Sequence, residues 1–402
     1  MKAIVLLLLF ILLTFQLLCQ ISFIQTSYGA GGDVNAIISL PNNTFLAASE
    51  NGHIYRSLDN GLTWSMVFSL TSPPINCFAY NPINSYIYAG RGDSGAGGVL
   101  RSINNGSSWE AMGGIIADKT VYALIVSNNG YVIAGCRNLD STTGTILIST
   151  NNGVSWQIAQ NGYDYWCFSF SKSQSGDIYA STGISYDGTV LKSTDNGLTW
   201  NNTGLNTGWM RVGHVVVSQS DSLYYYSNSR FYKKAPEQNW VRMTNVEAGY
   251  DIEAGLVVNS MNVLFIAGWN GCYSSTNGGV SWESLLPNQY CSIELDSIGY
   301  LWIGNAWGSI YRSTFPTIPP GIPALNTPIA GALYQLLTPT LSWQSVIGSE
   351  FYQIQVSSNS EFNNPAIDDT TNTTSYTNNG IILSPDTIYY WRVRGFNLNG
   401  YG

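Results

Sequence analysis

The stretch Ser57-Leu58-Asp59-Asn60-Gly61-Leu62-Thr63-Trp64 recurs along the chain and decides its fold. Further copies end at Trp109, Trp156, Trp200, Trp240 and Trp282, and an incomplete copy begins at Ser313. Successive copies are 40 to 47 residues apart. A repeat of that period, if each unit is made of strands, predicts a β-propeller.

Each repeat has the hydrophobic pattern of a four-stranded antiparallel meander. In the first unit the hydrophobic period is two rather than 3.6, and strand-like runs at 34–40, 45–48, 54–57 and 64–68 are separated by turn residues. Six more units follow the same plan, and the seventh lacks its fourth strand. A spare strand at 21–26 precedes the first unit. We expect it to complete the seventh blade, because closing the ring protects an exposed strand edge.

The repeated stretch, here called the box, has the residues that a tight turn needs. In the first box, Asp59 and Ser57 can bond to the turn backbone, Gly61 supplies a positive φ, and Trp64 provides apolar area to bury. The corresponding residues of the other boxes are Trp109, Trp156, Asp195, Trp200 and Trp282. Such turn chemistry recurs in every blade whatever the protein does, so these residues are predicted to be structural.

The boxes resemble the Asp-box, or bacterial neuraminidase, repeat found in sialidases, xyloglucanases, sortilin-type receptors and photosystem II assembly factors. The resemblance covers residues 20 to about 315. It implies an all-β, seven-bladed propeller over residues 20–316. It leaves the activity open, because these families have unrelated functions.

A second domain follows a Pro-rich linker at 317–323. Residues 324–402 contain alternating strand patterns, and Leu383-Ser384-Pro385-Asp386-Thr387-Ile388-Tyr389 resembles the corner motif of fibronectin type III domains. Trp343 stands where that family has its core tryptophan. The resemblance implies a β-sandwich, and the sequence pattern predicts that its last strand is missing, so that the domain is truncated.

Composition indicates a protein that works outside the cell. The chain has 402 residues, of which only 10% are charged, and its net charge is −8, so a basic stripe for nucleic acid is not expected. Residues 1–19 combine one Lys with a long apolar run, which predicts a signal peptide, with an uncleaved anchor or a lipid on Cys19 as less favoured readings. Once the signal is cleaved, no membrane span is expected. The predicted location is secreted or on the surface of a bacterial cell.

Metal and cofactor chemistry is not indicated. The cysteines after the signal segment are scattered and odd in number, so they predict buried apolar residues rather than disulfides or a zinc site. His214 lies in an apolar run and His53 beside a turn, which favours structural positions for both. We therefore expect no metal and no cofactor.

Strand parity assigns candidate binding residues to one end of the propeller. Turns between the first and second strands lie at the same end as the boxes, and the variable loops lie at the other end, where a rigid scaffold usually presents function. The variable loops contain Glu50, Arg91, Arg137, Trp166 and an aromatic group with one arginine. That group is Trp209, Arg211, Trp269 and Trp307. It predicts a patch that binds a glycan or a protein, although exposed rings could also simply cover blade ends.

The sequence favours a binding protein over an enzyme. A sialidase would need an Arg-Ile-Pro signature that is absent, and glycosidic cleavage needs two carboxylates where only Glu50 is suggested. A xyloglucanase-like or sialidase-like glycoside hydrolase remains the alternative and predicts two facing carboxylates. An assembly scaffold is a third possibility and predicts a basic patch. The ligand, the oligomeric state and the true C-terminus are not defined by the sequence.

Overall fold

The structure is a computed structural model in which the regular structure of the described residues is β apart from one short 3₁₀ turn at Gly114–Ile116. It describes residues 21–26, 32–70, 73–92, 97–138, 143–163, 166–183, 188–205, 207, 213–246, 248, 255–377, 383–397 and 400–401. Two compact units are present: residues 22–297 with 301–313, and residues 298–300 with 314–402. The predicted signal segment 1–19 lies outside the described residues.

The first unit opens with a single strand, β1 (Phe23–Thr26), and continues with four-stranded sheets in chain order. Blade 1 comprises β2 (Val34–Leu40), β3 (Thr44–Ser49), β4 (His53–Ser57) and β5 (Ser65–Ser69). Blade 2 comprises β6 (Ile75–Asn81), β7 (Tyr86–Gly92), β8 (Gly97–Ser102) and β9 (Glu110–Ala111). Blade 3 comprises β10 (Thr120–Val126), β11 (Val132–Arg137), β12 (Gly144–Ser149) and β13 (Gln157–Tyr163).

Blades 4 to 7 repeat the arrangement. Blade 4 comprises β14 (Trp166–Lys172), β15 (Ile178–Gly183), β16 (Thr189–Ser193) and β17 (Asn201–Asn202). Blade 5 comprises β18 (His214–Val217), β19 (Leu223–Ser227), β20 (Arg230–Lys234) and β21 (Val241–Arg242). Blade 6 comprises β22 (Gly255–Val258), β23 (Leu264–Gly268), β24 (Gly271–Ser275) and β25 (Glu283–Leu286). Blade 7 contributes β26 (Tyr290–Leu295), β27 (Leu301–Asn305) and β28 (Ile310–Ser313).

The seventh blade is completed by the N-terminal strand, as the sequence predicted. β1 pairs antiparallel with β28 along its whole length, from Phe23 opposite Ser313 to Thr26 opposite Ile310. The Gln25 side-chain amide also donates to the Ser309 hydroxyl at 3.0 Å. The sheet order β1-β28-β27-β26 therefore joins the first described strand of the propeller to the last.

The second strand of each blade is buried on both faces, so its pattern departs from the simple alternation expected from the sequence. Every residue of β3, β15, β19, β23 and β27 is buried. The reason is that both faces of a blade pack against neighbouring blades. Small residues such as Ala47 and Ala48 in β3 allow this close approach.

The second unit contains two sheets around one core. One sheet has the order β29-β30-β33, with β29 (Leu325–Thr327), β30 (Thr340–Trp343) and β33 (Ser375–Thr377). The other has the order β32-β31-β34-β35, with β31 (Phe351–Ser357), β32 (Ile367–Thr371), β34 (Tyr390–Asn397) and β35 (Gly400–Tyr401).

Three details of the second unit concern residues that the sequence analysis singled out. Trp343 is buried in the core, and the Ser384 amide donates to the Tyr389 hydroxyl at 3.2 Å. β35 pairs with β34 through Phe396 opposite Tyr401 and is two residues long in the described part of the chain. The expectation that the last strand of this domain is missing stays a prediction.

Candidate functional site

The two ends of the propeller differ in their chemistry. Strands run in alternating directions within a blade, so the box turns lie at one end, called the box face, with the turns between first and second strands. The hairpins between second and third strands lie at the other end, called the loop face, with the connections between blades. Each end can therefore be assessed separately for a site.

The box turns are closed by their own side chains. The Ser57 hydroxyl donates to Asp59 Oδ1 at 2.7 Å and accepts the Gly61 amide at 2.8 Å, and the Thr63 amide donates to Asp59 at 2.9 Å. Hydrogen bonds from Thr63 and then Ser57 lower the pKa of Asp59 to about 2. The Ser–Asn–Gly boxes of blades 2, 3 and 6 repeat this arrangement. The box Ser and Asn side chains therefore have partners within the turn, whereas Trp109 Nε1 and Trp282 Nε1 are buried without an acceptor among the described residues.

Only one of the box tryptophans is fully buried, which corrects the expectation for the others. Trp156 is buried and donates its Nε1–H to the Gly153 carbonyl at 3.0 Å. Trp64 makes the equivalent bond to Gly61 at 3.1 Å but is only half-buried, because it packs on the outermost strand of its blade. Truncating Trp64 would therefore remove less buried area than the sequence suggested.

The boxes also join neighbouring blades, a role that the sequence did not reveal. Arg56, Arg101 and Arg312 precede the box serines, and each donates to a carbonyl in the box of the next blade. The bonds reach Asn105 at 3.1 Å, Asn152 at 2.7 Å and Asn60 at 3.3 Å. The box face is thus occupied by structural contacts.

On the loop face, the innermost strands of five blades begin with a β-bulge. The pairing with the second strand shifts by one residue near the start of β2, β6, β10, β14 and β26. The extra residues are Asn35, Asn76, Tyr122, Phe168 and Cys291. Bulges re-aim side chains and are common next to binding sites. Here they place a ring of unpaired positions at the loop-face end of the inner strands.

Two of the bulge residues belong to an aromatic cluster between blades 3 and 4. Tyr122 stacks on Phe168 with ring centroids 4.4 Å apart, and Trp166 lies 6.0 Å from Tyr122 in a parallel orientation. The Arg137 guanidinium sits over the Trp166 ring at 4.3 Å. All four side chains are half-buried, so the cluster is rigid yet reachable from solvent.

Donor groups without an acceptor and cations without an ion pair lie on the loop face of blades 2 to 4. Trp166 Nε1 and Arg91 Nε are buried without a hydrogen-bond acceptor among the described residues, and burial lowers the pKa of Arg91. Lys119 is half-buried in the connection between blades 2 and 3. The ion pairs of the described residues are Arg101–Glu110 and Lys192–Asp177, so these cations have no carboxylate partner there. We call Arg91, Lys119, Arg137, Trp166, Tyr122 and Phe168 the donor cluster.

An acidic pair lies on the loop face of blade 1. The Glu50 amide donates to the Asp33 carbonyl at 2.9 Å, and the Cys291 thiol lies 3.9 Å from Asp33 Oδ2. Burial first, and then the charge of Glu50, raise the pKa of Asp33, while the thiol hydrogen bond opposes them. The carboxylates are neighbours in one blade and not opposed across the channel.

The structure places the predicted patch only in part. Trp269 and Trp307 are 51% and 65% exposed at the hairpin tips of blades 6 and 7. Trp209 and Arg211 lie outside the described residues. Glu50 is exposed, and His53 is half-buried, as expected for positions beside a turn. Arg91, Arg137 and Trp166 were placed on this face by strand parity, but the contact between Arg137 and Trp166 could not be read from the sequence.

No cofactor or metal geometry emerges from the resolved contacts. Across the described ranges, no group of three or more His, Cys, Asp or Glu residues could hold a metal ion. The cysteines Cys77, Cys136, Cys167, Cys272 and Cys291 form no disulfide among the described residues. Burial raises the pKa of the Cys77 thiol to about 12, which fits an unreactive core residue. No helix among the described residues is long and apolar enough to cross a membrane.

A half-buried carboxyl on the inner strand of blade 7 predicts a pH dependence of stability. Burial, assisted by Asp296, raises the pKa of Glu294 to about 8, against hydrogen bonds from Ser39. The unfolded chain releases this proton near pH 4.5, whereas the folded chain keeps it up to about pH 8. Stability should therefore fall as pH rises from about 5 to about 8. We expect Glu294→Gln to lose that dependence in urea unfolding curves recorded across this window.

Glu283→Gln is the matched control, because Glu283 is exposed on the neighbouring blade. It removes the same charge without a buried carboxyl and should follow the wild-type pH profile. Parallel profiles for Glu294→Gln and wild type would show that Glu294 does not carry the titration.

Comparisons with known proteins support the fold. No protein-family model and no curated protein sequence matches the chain. Among solved structures, virginiamycin B lyase from Staphylococcus aureus matches 73% of this chain and 99% of its own at 11% identity, with a TM-score of 0.59. YCF48 from Cyanidioschyzon merolae matches 73% and 98% at 12% identity, with a TM-score of 0.55.

A GH74 xyloglucanase from Xanthomonas campestris is also similar, with a TM-score of 0.57 at 17% identity. The match covers 82% of this chain and 60% of the xyloglucanase. A further similar structure is that of YCF48 bound to D1 peptide, with a TM-score of 0.56 at 14% identity. At these identities the likeness establishes an all-β propeller fold and leaves function to the site.

Proposed function

We propose that this protein is a secreted or cell-surface binding protein that holds an extracellular protein or glycan on the loop face of its propeller. The observation that carries the proposal is the donor cluster. Its buried donors, Trp166 Nε1 and Arg91 Nε, have no acceptor among the described residues. Buried donors are costly to leave unmet, so a ligand with acceptor groups would gain from binding there.

The shape of the cluster suits recognition. Tyr122, Phe168 and Trp166 offer ring surface, and Arg137 is held flat on Trp166, which reduces the entropy lost on binding. Rings provide area while the guanidinium orients a carboxylate or carbonyl. The peptide bound by YCF48 is a precedent for a polypeptide ligand on a similar propeller. Trp269 and Trp307 would extend the contact on blades 6 and 7.

We also infer that the boxes are Asp-box repeats and that residues 324–402 form a fibronectin type III-like module acting as a spacer. The self-contained hydrogen bonding of the Ser57 box and the Tyr389 corner bond support this inference. An apolar segment at 1–19 and a low charge content support export from a bacterial cell. The proposal includes no cofactor, no metal and no nucleic acid.

A glycoside hydrolase is the second candidate. Asp33 and Glu50 form a carboxylate pair, and the pKa of Asp33 is raised, as general acids require. The similarity to a GH74 xyloglucanase fold adds weight. Against it, both carboxylates lie on one blade, whereas cleavage needs groups on two sides of the glycosidic bond.

The proposal is tested with an array of glycans and extracellular peptides, using the wild type and Arg137→Gln. A charge-assisted hydrogen bond contributes about 1.5–3 kcal/mol, so we expect binding of the true ligand to weaken roughly ten- to a hundredfold. Arg242→Gln, at an exposed arginine on the outer strand of blade 5, should bind like the wild type.

Two results would contradict the proposal. A ligand that binds Arg137→Gln normally but fails to bind a Trp269→Ala/Trp307→Ala double variant would move the site to blades 6 and 7. Turnover of a bound glycan that is abolished by Glu50→Gln would favour the hydrolase.

A further inference from the structure

A second surface lies on the unit formed by residues 298–300 and 314–402. Side chains alternate along its sheet β32-β31-β34-β35, so residues beside the core members Ile354 and Val393 face outward. Gln353 and Gln355 on β31 lie directly opposite Arg394 and Arg392 on β34. This face carries a strip of polar side chains, here called the guanidinium strip.

Hydrogen bonds fix the strip in place. Arg392 Nε donates to Gln355 Oε1 and Arg394 Nε to Gln353 Oε1, both at 2.8 Å. The two glutamine amides then donate to the two oxygens of Asp368, at 2.9 and 2.5 Å. Asp368 is therefore occupied by the glutamines and does not form an ion pair with either arginine.

Aromatic rings lie against both guanidinium groups. Arg392 lies 4.2 Å from the centre of the Phe362 ring, and Arg394 lies 3.8 Å from that of Tyr401. Tyr401 and Tyr390 are still 51% and 46% exposed. The rings restrict the long arginine side chains, so little conformational entropy is left to lose on binding.

The outer nitrogens of both arginines remain available. Each guanidinium uses only Nε within the described part of the chain, and neither takes part in an ion pair there. The two residues share a face at a two-residue separation, about 7 Å along the strand. Two flat charged forks at this spacing are suited to paired oxyanions, which guanidinium groups bind through two parallel hydrogen bonds.

We propose that the guanidinium strip is a binding site for acidic polysaccharide. Anionic groups on successive sugar units engage Arg392 and Arg394, while sugar rings stack on the exposed faces of Tyr390 and Tyr401. Tyr390, Arg392 and Arg394 follow one another on β34, and Tyr401 lies beside its end on β35. This order of ring, cation, cation and ring fits a polymer that presents both an anion and an apolar ring face. An acidic peptide offers the anions but no ring faces for the tyrosines.

The test measures binding of the full chain to four probes: oligogalacturonate, dextran sulfate, neutral dextran and poly-glutamate. We expect at least one polyanionic sugar to bind and dextran to bind at least tenfold more weakly. The stronger of the two polyanions identifies the anion as carboxylate or sulfate. Affinity should also fall with added salt, as expected for ion pairing.

Variants locate the site. R392Q/R394Q should weaken polyanion binding at least tenfold, and R392K/R394K should weaken it several-fold, because lysine keeps the charge but loses the fork. R242Q should bind the polyanion as the wild type does, because Arg242 lies on blade 5, outside the guanidinium strip. Thermal unfolding verifies that each variant is folded. If R392Q/R394Q does not fold, R392K/R394K provides the test of the site.

The proposal is overturned if the folded arginine variants bind the polyanions with wild-type affinity, or if neutral dextran binds equally well. Poly-glutamate binding tighter than either polysaccharide would also overturn it, since that result indicates an acidic protein as the partner.

Discussion

Deleting β1 is expected to open the ring and to produce insoluble protein or a fall in Tm of about 10 °C or more. All four residues of β1 pair with β28, and Thr26 adds a side-chain bond to Ile310. Its loss removes these hydrogen bonds and exposes the β28 edge, while blade 7 is left with three strands. A deletion of residues 20–28 tests this by thermal unfolding and soluble yield.

The control deletes residues 1–19 only and so keeps β1. A synthetic peptide of residues 20–28 added in trans should restore part of the lost Tm by supplying the missing strand. Equal melting curves for the two deletions would mean that closure does not depend on β1.

Gly61→Ala is expected to destabilise the propeller by about 2–5 kcal/mol. Gly61 has a φ of +78°, and a Cβ there would lie 2.3 and 2.5 Å from two ring atoms of Trp302 in blade 7. The Trp302 ring cannot move away easily. Its Nε1–H donates to Asp296 at 2.9 Å, and its centroid lies 4.2 Å from the centroid of the Phe45 ring. Urea unfolding measures the loss.

Gly114→Ala is the matched control for backbone strain. Gly114 has a φ of +80°, and a Cβ there would meet no atom within 4 Å. It should show only the cost of the left-handed conformation, about 1–2 kcal/mol. If both variants lose the same stability, the clash with Trp302 is relieved cheaply, and the seam between blades 7 and 1 is softer than its contacts indicate.

Sequence predicted the propeller because its evidence is local and repeated. The Ser57 box closes on itself through bonds between residues two to four positions apart, so its pattern is readable in a single chain. Ring closure was also predictable, because the sequence has a spare strand before blade 1 and lacks the fourth strand of blade 7. The spare strand can fill the missing position. The buried second strands differed from the alternating pattern only because blades pack on both faces.

The candidate site was less predictable because it depends on contacts between blades. Arg137 and Trp166 are close only because β11 and β14 are neighbours around the channel. Tyr122 and Phe168 meet at bulges, where one extra residue changes the facing of a side chain, and no turn signal marks a bulge in the sequence. The predicted patch was chosen by looking for aromatic residues in loops. That criterion identified Trp269 and Trp307 but missed Tyr122 and Phe168, which lie on inner strands.

Hydrogen exchange on the ligand-bound protein tests the central claim most directly, because it reports which end of the propeller is covered. Once the array has identified a ligand, we predict slower amide exchange at the loop-face ends of blades 2 to 4, around Arg91, Arg137 and Trp166. Exchange at the box turns, such as Asp59–Trp64, should be unchanged. Protection confined to the box turns would contradict the account.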